Sequence, residues 1–177
     1  MSVLAEFSAV FFAREANALG AIAERRCNLT EAETHYQAAI TTDSRCFEAH
    51  YNLGRLFEKK CDLPRAQTEY MKALEINPGD ADSHINLGVV LGKMKDLTGA
   101  EAEYRVAIGI NPNVALFHSN LGKLLHARDD LMGNLVGAEA DYRAAILEYR
   151  AAIKLDAGDE DAENNLGFLL DLLDESD

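Results

Sequence analysis

The sequence predicts an all-α fold, an array of stacked antiparallel helix hairpins, on three observations. The pair Leu-Gly recurs at Leu19-Gly20, Leu53-Gly54, Leu87-Gly88, Leu121-Gly122 and Leu166-Gly167, with the glycines 34, 34, 34 and 45 residues apart. Behind each of the first three glycines stand an alanine (Ala32, Ala66, Ala100), a tyrosine (Tyr36, Tyr70, Tyr104) and a second alanine (Ala39, Ala73, Ala107), always at the same spacing. The composition is that of helices: 48% of the chain is hydrophobic, only three prolines interrupt it, and the prominent alanine, leucine and glutamate are strong helix formers.

A repeat of this length holds one helix–turn–helix unit that cannot bury its apolar face alone, so neighbours stack into a shared core. Residues 1–12 read as an N-terminal helical extension. Repeats follow at 13–46, 47–80 and 81–114, each with its glycine on the first helix and its alanine–tyrosine–alanine set on the second. A glycine opposite an alanine lets two antiparallel helices approach closely, while tyrosine and leucine fill the space between hairpins. Pro78 and Pro112 end second helices after Asn77 and Asn111, because proline cannot continue the hydrogen-bond ladder; Ser44 and Ala157 stand where the other two prolines are expected.

The fourth repeat, 115–159, is longer by eleven residues (45 − 34). Tyr142 to Ile146 reads Tyr-Arg-Ala-Ala-Ile, Tyr149 to Ile153 reads the same, and four further residues sit near Met132 to Leu135. Additions of four and seven are close to whole helical turns and need not rotate a packed face. The spacing therefore predicts a second helix over about Val136 to Leu155, two or three turns longer than its siblings; a longer inter-helix loop is the alternative. Residues 160–177 form a capping helix or half repeat, apolar for a cap at Leu166, Phe168, Leu169, Leu170, Leu172 and Leu173. That face reads as a partly sticky cap, as the cut edge of a longer array, or as a surface for self-association.

Charge and motif exclude several functions. A formal charge of −13 and a pI near 4.7 oppose broad nucleic-acid binding, which needs a positive surface. No run approaches the roughly 20 apolar residues of a membrane span. Glu6 breaks the apolar start Met1 to Ala13, which lacks a positive lead, so no secretory signal is expected. Cys27, Cys46 and Cys61, odd in number and near one end, fit an intracellular, cytoplasmic setting better than a disulfide framework. Phosphate loops, nucleophile elbows and zinc-type His-Glu pairs are missing, and the run Asp156 to Asp161 lacks the oxygen spacing of a calcium loop. His50, His84 and His118 fall one repeat apart, roughly 10 Å at helix-packing distance, too far for one metal ion about 2 Å from each nitrogen. They read as packing residues. The expectation is a non-enzyme with no metal and no cofactor.

Leu-Gly followed by Ala, Tyr, Ala and Pro at a 34-residue period resembles the tetratricopeptide repeat family over about residues 13 to 177. The likeness is strong for fold and weak for function, since this fold serves many partners. It departs from the family where His50, His84 and His118 replace the usual aromatic four residues before the glycine. The resemblance implies a right-handed α-solenoid, a superhelix whose first helices line a concave, ligand-holding groove.

On that face Asn52, Asn86, Asn120 and Asn165 stand two residues before their glycines, with Ala18 the exception. Residues three and seven further on share the stripe: Arg55, Val89, Lys123 and Phe168, then Lys59, Lys93 and Ala127, with Tyr51 beside them. An asparagine amide offers an acceptor and two donors and suits a passing peptide backbone. The row looks like the asparagine ladder in the repeat domain of O-GlcNAc transferase; the alternative is that each amide bonds a neighbouring helix. Arg25, Arg26, Lys59, Lys60, Lys93, Lys95 and Arg128 lie near first-helix ends, where cations complement the dipole. Arg55 and Lys123 are mid-helix, and a basic strip there favours an acidic or phosphorylated ligand. The carboxylate clamp of the heat-shock co-chaperone members would fall on Asn17, Ala21, Asn52, Asp82 and Asn86, and only Asn52 matches.

The candidate peptide-binding set is therefore Asn52, Asn86, Asn120, Asn165, Tyr51, Arg55, Lys59, Lys93 and Lys123. The expected function is a non-enzymatic scaffold or adaptor that holds a protein or peptide partner, with neither nucleic acid nor membrane. Two other readings stand beside it: a structural array self-associating through the C-terminal helix, and a regulatory repeat segment of a larger enzyme such as a glycosyltransferase.

Overall fold

The computed structural model describes residues 3–132 and 135–174, and every regular element among them is an α-helix. In chain order these are α1 (Val3–Arg25), α2 (Leu29–Thr42), α3 (Phe47–Lys59), α4 (Leu63–Ile76), α5 (Ala81–Lys93), α6 (Leu97–Ile110), α7 (Ala115–Met132), α8 (Leu135–Leu155) and α9 (Glu160–Asp174). Two compact units divide the chain, Met1–Val90 and Leu91–Asp177. In the first, α1 pairs with α2, α3 pairs with α4, and α2 stacks on α3. In the second, α7 pairs with α8, α6 packs on α7, and α9 packs on α8. No helix among the described residues is long and apolar enough to cross a membrane.

Two kinds of turn connect the helices. After α1, α3 and α5 the chain reverses through one left-handed residue: Cys27 at φ 59°, Cys61 at 58° and Lys95 at 69°. That conformation lets the next N–H reach back over the helix end: Asn28 donates to the Ala23 carbonyl (3.0 Å), Asp62 to Phe57 (2.9 Å) and Asp96 to Leu91 (3.0 Å). The same Asn28, Asp62 and Asp96 then cap the following helix, their side chains accepting from the N–H groups of Glu31, Arg65 and Gly99. The 34-residue interval between Cys27 and Cys61 is thus a turn interval, and both thiols are free and exposed.

The second kind of turn follows α2, α4 and α8. Asp43 accepts from the Arg45 N–H (3.0 Å), Asn77 from Gly79 (3.3 Å) and Asp156 from Gly158 (3.0 Å). An aspartate or asparagine side chain bonding two residues on is itself a turn. Ser44 and Ala157 therefore turn as well as Pro78 does.

The hairpin core is alanine against glycine, roofed by tyrosine. Ala32, Ala39, Ala66, Ala73, Ala145 and Ala152 are fully buried, as are Tyr36, Tyr70 and Tyr149. Each of these rings lies flush on the facing helix's glycine: a methyl at Gly20, Gly54 or Gly122 would meet Tyr36, Tyr70 or Tyr149 at 2.5, 2.8 and 2.8 Å.

In the fourth hairpin Tyr149, not Tyr142, therefore holds the repeat's tyrosine position. The extra length is shared by both helices: α7 has 18 residues against 13 in α3 (18 − 13 = 5), and α8 has 21 against 14 in α4 (21 − 14 = 7). Seven residues are two turns, so Tyr149 reaches its seat with the helix face little rotated. Of the four residues placed near Met132 to Leu135, Met132 ends α7 and Leu135 begins α8; positions 133 and 134 lie outside the described residues.

The histidines clamp the hairpin ends. His50 is buried, with Nδ1 2.7 Å from the Glu69 carboxylate and Nε2 3.2 Å from the Ser44 carbonyl. His118 repeats this with Glu148 (2.7 Å) and the Pro112 carbonyl (2.9 Å). Both nitrogens face acceptors, and only the doubly protonated ring can donate to both. Burial pushes the Glu69 carboxyl up, but hydrogen bonds from His50 and Lys72 and their charges outweigh it, and the net shift is downward.

Gly54→Ala should destabilise by about 1–3 kcal/mol, because Tyr70 leaves no room for a methyl. Gly167→Ala, where nothing lies within 4 Å, should be neutral or stabilising by up to about 1 kcal/mol through helix propensity. Urea unfolding of both variants checks this, and equal effects would remove the ring contact as the cause. For Glu69, a depressed carboxyl stabilises above its unfolded value and loses that contribution as pH falls through the lower folded one. Glu69→Gln should therefore be less stable than the parent near neutral pH, and the gap should close in the acid range. A constant difference between about pH 7 and about pH 3 would contradict it.

Candidate functional site

First helices carry the candidate binding residues, and the asparagines are the first to be placed. Asn52 on α3 is half-buried and donates from Nδ2 to Asn17 Oδ1 on α1 (3.0 Å). Asn86 on α5, also half-buried, donates to the Tyr51 hydroxyl oxygen on α3 (3.2 Å). These bonds join residues 35 apart and tie each first helix to the one before it. An amide that donates once to its neighbour still keeps a second donor and its acceptor. In the second unit Asn120 on α7 and Asn165 on α9 are likewise half-buried.

A notch of ≈ 400 Å³ lies between α1 and α3, lined by Ala21, Glu24, Arg25, Tyr36, Asn52, Arg55 and Lys59. Its floor is the tyrosine that roofs Gly20. Tyr36 donates to Glu24 Oε2 (2.9 Å), and Lys59 reaches across to the other oxygen of the same carboxylate. Burial raises the Glu24 carboxyl, but the hydrogen bonds from Lys59 and Tyr36 and the charges of Lys59 and Arg55 bring it below its usual value. Arg55 is half-buried, its guanidinium 6.0 Å from the Tyr51 ring centre, and it pairs with no carboxylate among the described residues. Tyr51 is held between Phe47, stacked at 6.1 Å, and Tyr70, edge-on at 6.1 Å. The notch thus carries three cations (Arg25, Arg55, Lys59) against one carboxylate (Glu24), a local charge of +2 in a chain of −13.

The same notch recurs in the second unit. Lys123, His126, Ala127, Tyr149 and Asn165 line ≈ 290 Å³ among α7, α8 and α9. Here Lys123 pairs with Asp161 at 2.9 Å, so its charge is already matched. Lys93 lies at the exposed end of α5. A larger hollow of ≈ 470 Å³ lies among Ile40, Ser44, Arg45, His50, Lys72, Glu75 and Ile76, but His50 there has both nitrogens engaged. The first-helix notches are the better candidates because each has amide and cationic donors around an aromatic floor.

The structure therefore gathers Asn52, Arg55 and Lys59 at one site and Lys123 with Asn165 at another. It adds Glu24, Arg25 and Tyr36, which the sequence reading did not assign. One signal was available: Glu24 and Glu58 both stand four residues after a repeat glycine, within reach of the tyrosine hydroxyl.

Residues 47–80 match one tetratricopeptide repeat model and residues 69–102 match another. Both matches are to tetratricopeptide repeat models, and they overlap within residues 47–102. Solved structures of similar shape include MamA from Desulfovibrio magneticus RS-1, with a TM-score of 0.77 at 20% identity over 92% of this chain and 85% of that one. YrrB, described as a tetratricopeptide repeat protein with an unusual peptide-binding site, superposes with a TM-score of 0.74 at 22% identity over 90% and 76%. The first tetratricopeptide domain of Spaghetti (RPAP3), bound to the HSP90 peptide SRMEEVD, gives 0.63 at 18% over 74% and 95%. No curated protein sequence matches the chain. The fold class is the all-α solenoid of helix hairpins, and at these identities the likeness is one of fold.

The inter-repeat amide bond is directly testable. Asn17→Ala and Asn52→Ala should each lower stability, and their double-mutant cycle should return a coupling of about 0.5–1.5 kcal/mol. Strict additivity in chemical denaturation would mean the bond contributes nothing in solution.

Proposed function

We propose that this chain is a non-enzymatic interaction scaffold whose first-helix face holds an extended segment of a partner protein, with an acidic side chain of that segment seated in the α1–α3 notch. The observation that carries this is the charge of the notch, three cations against one carboxylate in an acidic chain. Arg55 is its key cation, since Lys59 is already matched by Glu24. A guanidinium presents a planar fork that pairs bidentately with a carboxylate. Asn52 stands beside it with a spare donor and acceptor for the segment's main chain, similar in this respect to the O-GlcNAc transferase ladder. Support for the ligand class comes from the RPAP3 domain, whose peptide SRMEEVD bears carboxylates, and from YrrB with its peptide-binding site. The free thiols of Cys27, Cys46 and Cys61 favour a reducing, intracellular location.

A second reading is favoured by one observation. On α9, Phe168 is 56% exposed and Leu170 37% exposed, and no tyrosine covers Gly167 as one covers Gly54. Contact between copies through α9 would bury that face, and light scattering over a concentration series separates it from the first reading.

The test is a titration of short extended peptides, acidic against neutral. Acidic peptides should bind more tightly, and their affinity should fall as salt rises through 0.15 M, where the Debye length is about 8 Å. Arg55→Ala should weaken them by about tenfold or more, the contribution of a charge-assisted hydrogen bond, with little change in melting temperature. Neutral peptides binding equally well, without salt dependence, would sink the acidic-ligand reading.

A further inference from the structure

The two notches share a tyrosine floor and a bordering asparagine but differ in their other lining residues, and one of those differences leaves a hydroxyl unused. Tyr36 and Tyr70 donate to the glutamates four residues beyond their glycines, Glu24 at 2.9 Å and Glu58 at 3.3 Å. Four residues beyond Gly122 stands His126. Its ring is stacked on Phe168 at 5.5 Å and set edge-on to Tyr142 at 6.0 Å. Tyr149 is fully buried, and its hydroxyl has no hydrogen-bond partner among the described residues. Burial, then the charges of Asp159 and Asp161, push its phenol pKa up, so the group keeps its proton and remains a donor. A buried donor without an acceptor is costly and rare in native proteins.

We infer that the notch among α7, α8 and α9 is a donor site for an uncharged oxygen, the carbonyl of a main-chain or side-chain amide, which accepts from the Tyr149 hydroxyl. The alternative, a carboxylate, meets the wrong field. Lys123 is already matched by Asp161 at 2.9 Å, and Asp159 and Asp161 act on Tyr149 as negative charges. Asn165 borders the notch and offers a donor and an acceptor, the complement of a peptide group. Lys123 is the bordering side chain most easily moved aside to admit a ligand, because its ion pair is exposed and such pairs hold weakly. The first unit's notch takes charge and this one takes the amide. That the amide belongs to a partner peptide rests on the scaffold reading; the donor site itself does not.

The experiment titrates the full chain, with isotope-labelled tyrosine and asparagine, against N-methylacetamide and separately against acetate. N-methylacetamide should shift the Tyr149 resonances saturably, and acetate should not. In Tyr149→Phe the melting temperature should hold or rise, whereas Tyr36→Phe, which loses a made hydrogen bond, should lower it. The amide's effect on the Asn165 resonances should then weaken roughly three- to tenfold, the worth of one net hydrogen bond. The inference is overturned if Tyr149→Phe melts as low as Tyr36→Phe, if acetate binds as well as the amide, or if no saturable shift occurs. A chain that responds to N-methylacetamide yet binds no acidic peptide would sink the scaffold reading alone.

Discussion

The contact on which the rest depends is a tyrosine ring pressed against a glycine of the facing helix. At Gly20, Gly54 and Gly122 the ring occupies the space a methyl would need, and the buried alanines on either side of the tyrosine let the two backbones close. Because the ring spans the hairpin, its hydroxyl emerges toward the first-helix face. The residue that closes the hairpin is therefore also the floor of the first-helix notch. Packing and the lining of the notch share one side chain, and a substitution there moves both.

Electrostatics then differentiates what the repeat makes uniform. The chain is strongly acidic, and several of its cations are matched locally: Lys59 by Glu24, Lys60 by Glu33, Lys123 by Asp161. Exposed pairs of this kind add little stability, but they decide which charges remain to meet a ligand. Arg55 remains in the first notch, half-buried against Tyr51. In the second notch the exchange of glutamate for histidine at position 126 leaves a neutral donor instead. The same glycine–tyrosine contact thus carries different chemistry in the two notches.

Much of this was legible in the sequence because it is periodic. The 34-residue interval, the glycine and the tyrosine each mark a backbone requirement that recurs, so the hairpins and their helices could be read directly. What was not legible depends on where a side chain turns. Asn52 has a partner in Asn17 on the helix before it, and residue identity does not announce that 3.0 Å bond. The partners of His50 and His118 lie 19 and 30 residues on, an interval that the insertion disguises. Missing prolines at Ser44 and Ala157 looked like departures, yet the turn was carried by the aspartate just before each.

The doubled Tyr-Arg-Ala-Ala-Ile stretch in α8 has a consequence for how the fourth hairpin finds its alignment. Tyr142 and Tyr149 sit on almost the same stripe of the helix, two turns and roughly 10 Å apart along the axis. Local chemistry offers Gly122 two interchangeable keys. Seating Tyr142 instead would slide α8 lengthwise past α7 and carry the Asp156 turn, and α9 with it, away from the contacts α9 makes on α8. The Tyr149 setting is held from two sides, by the His118–Glu148 bond within the pair and by the packing of α9 on α8.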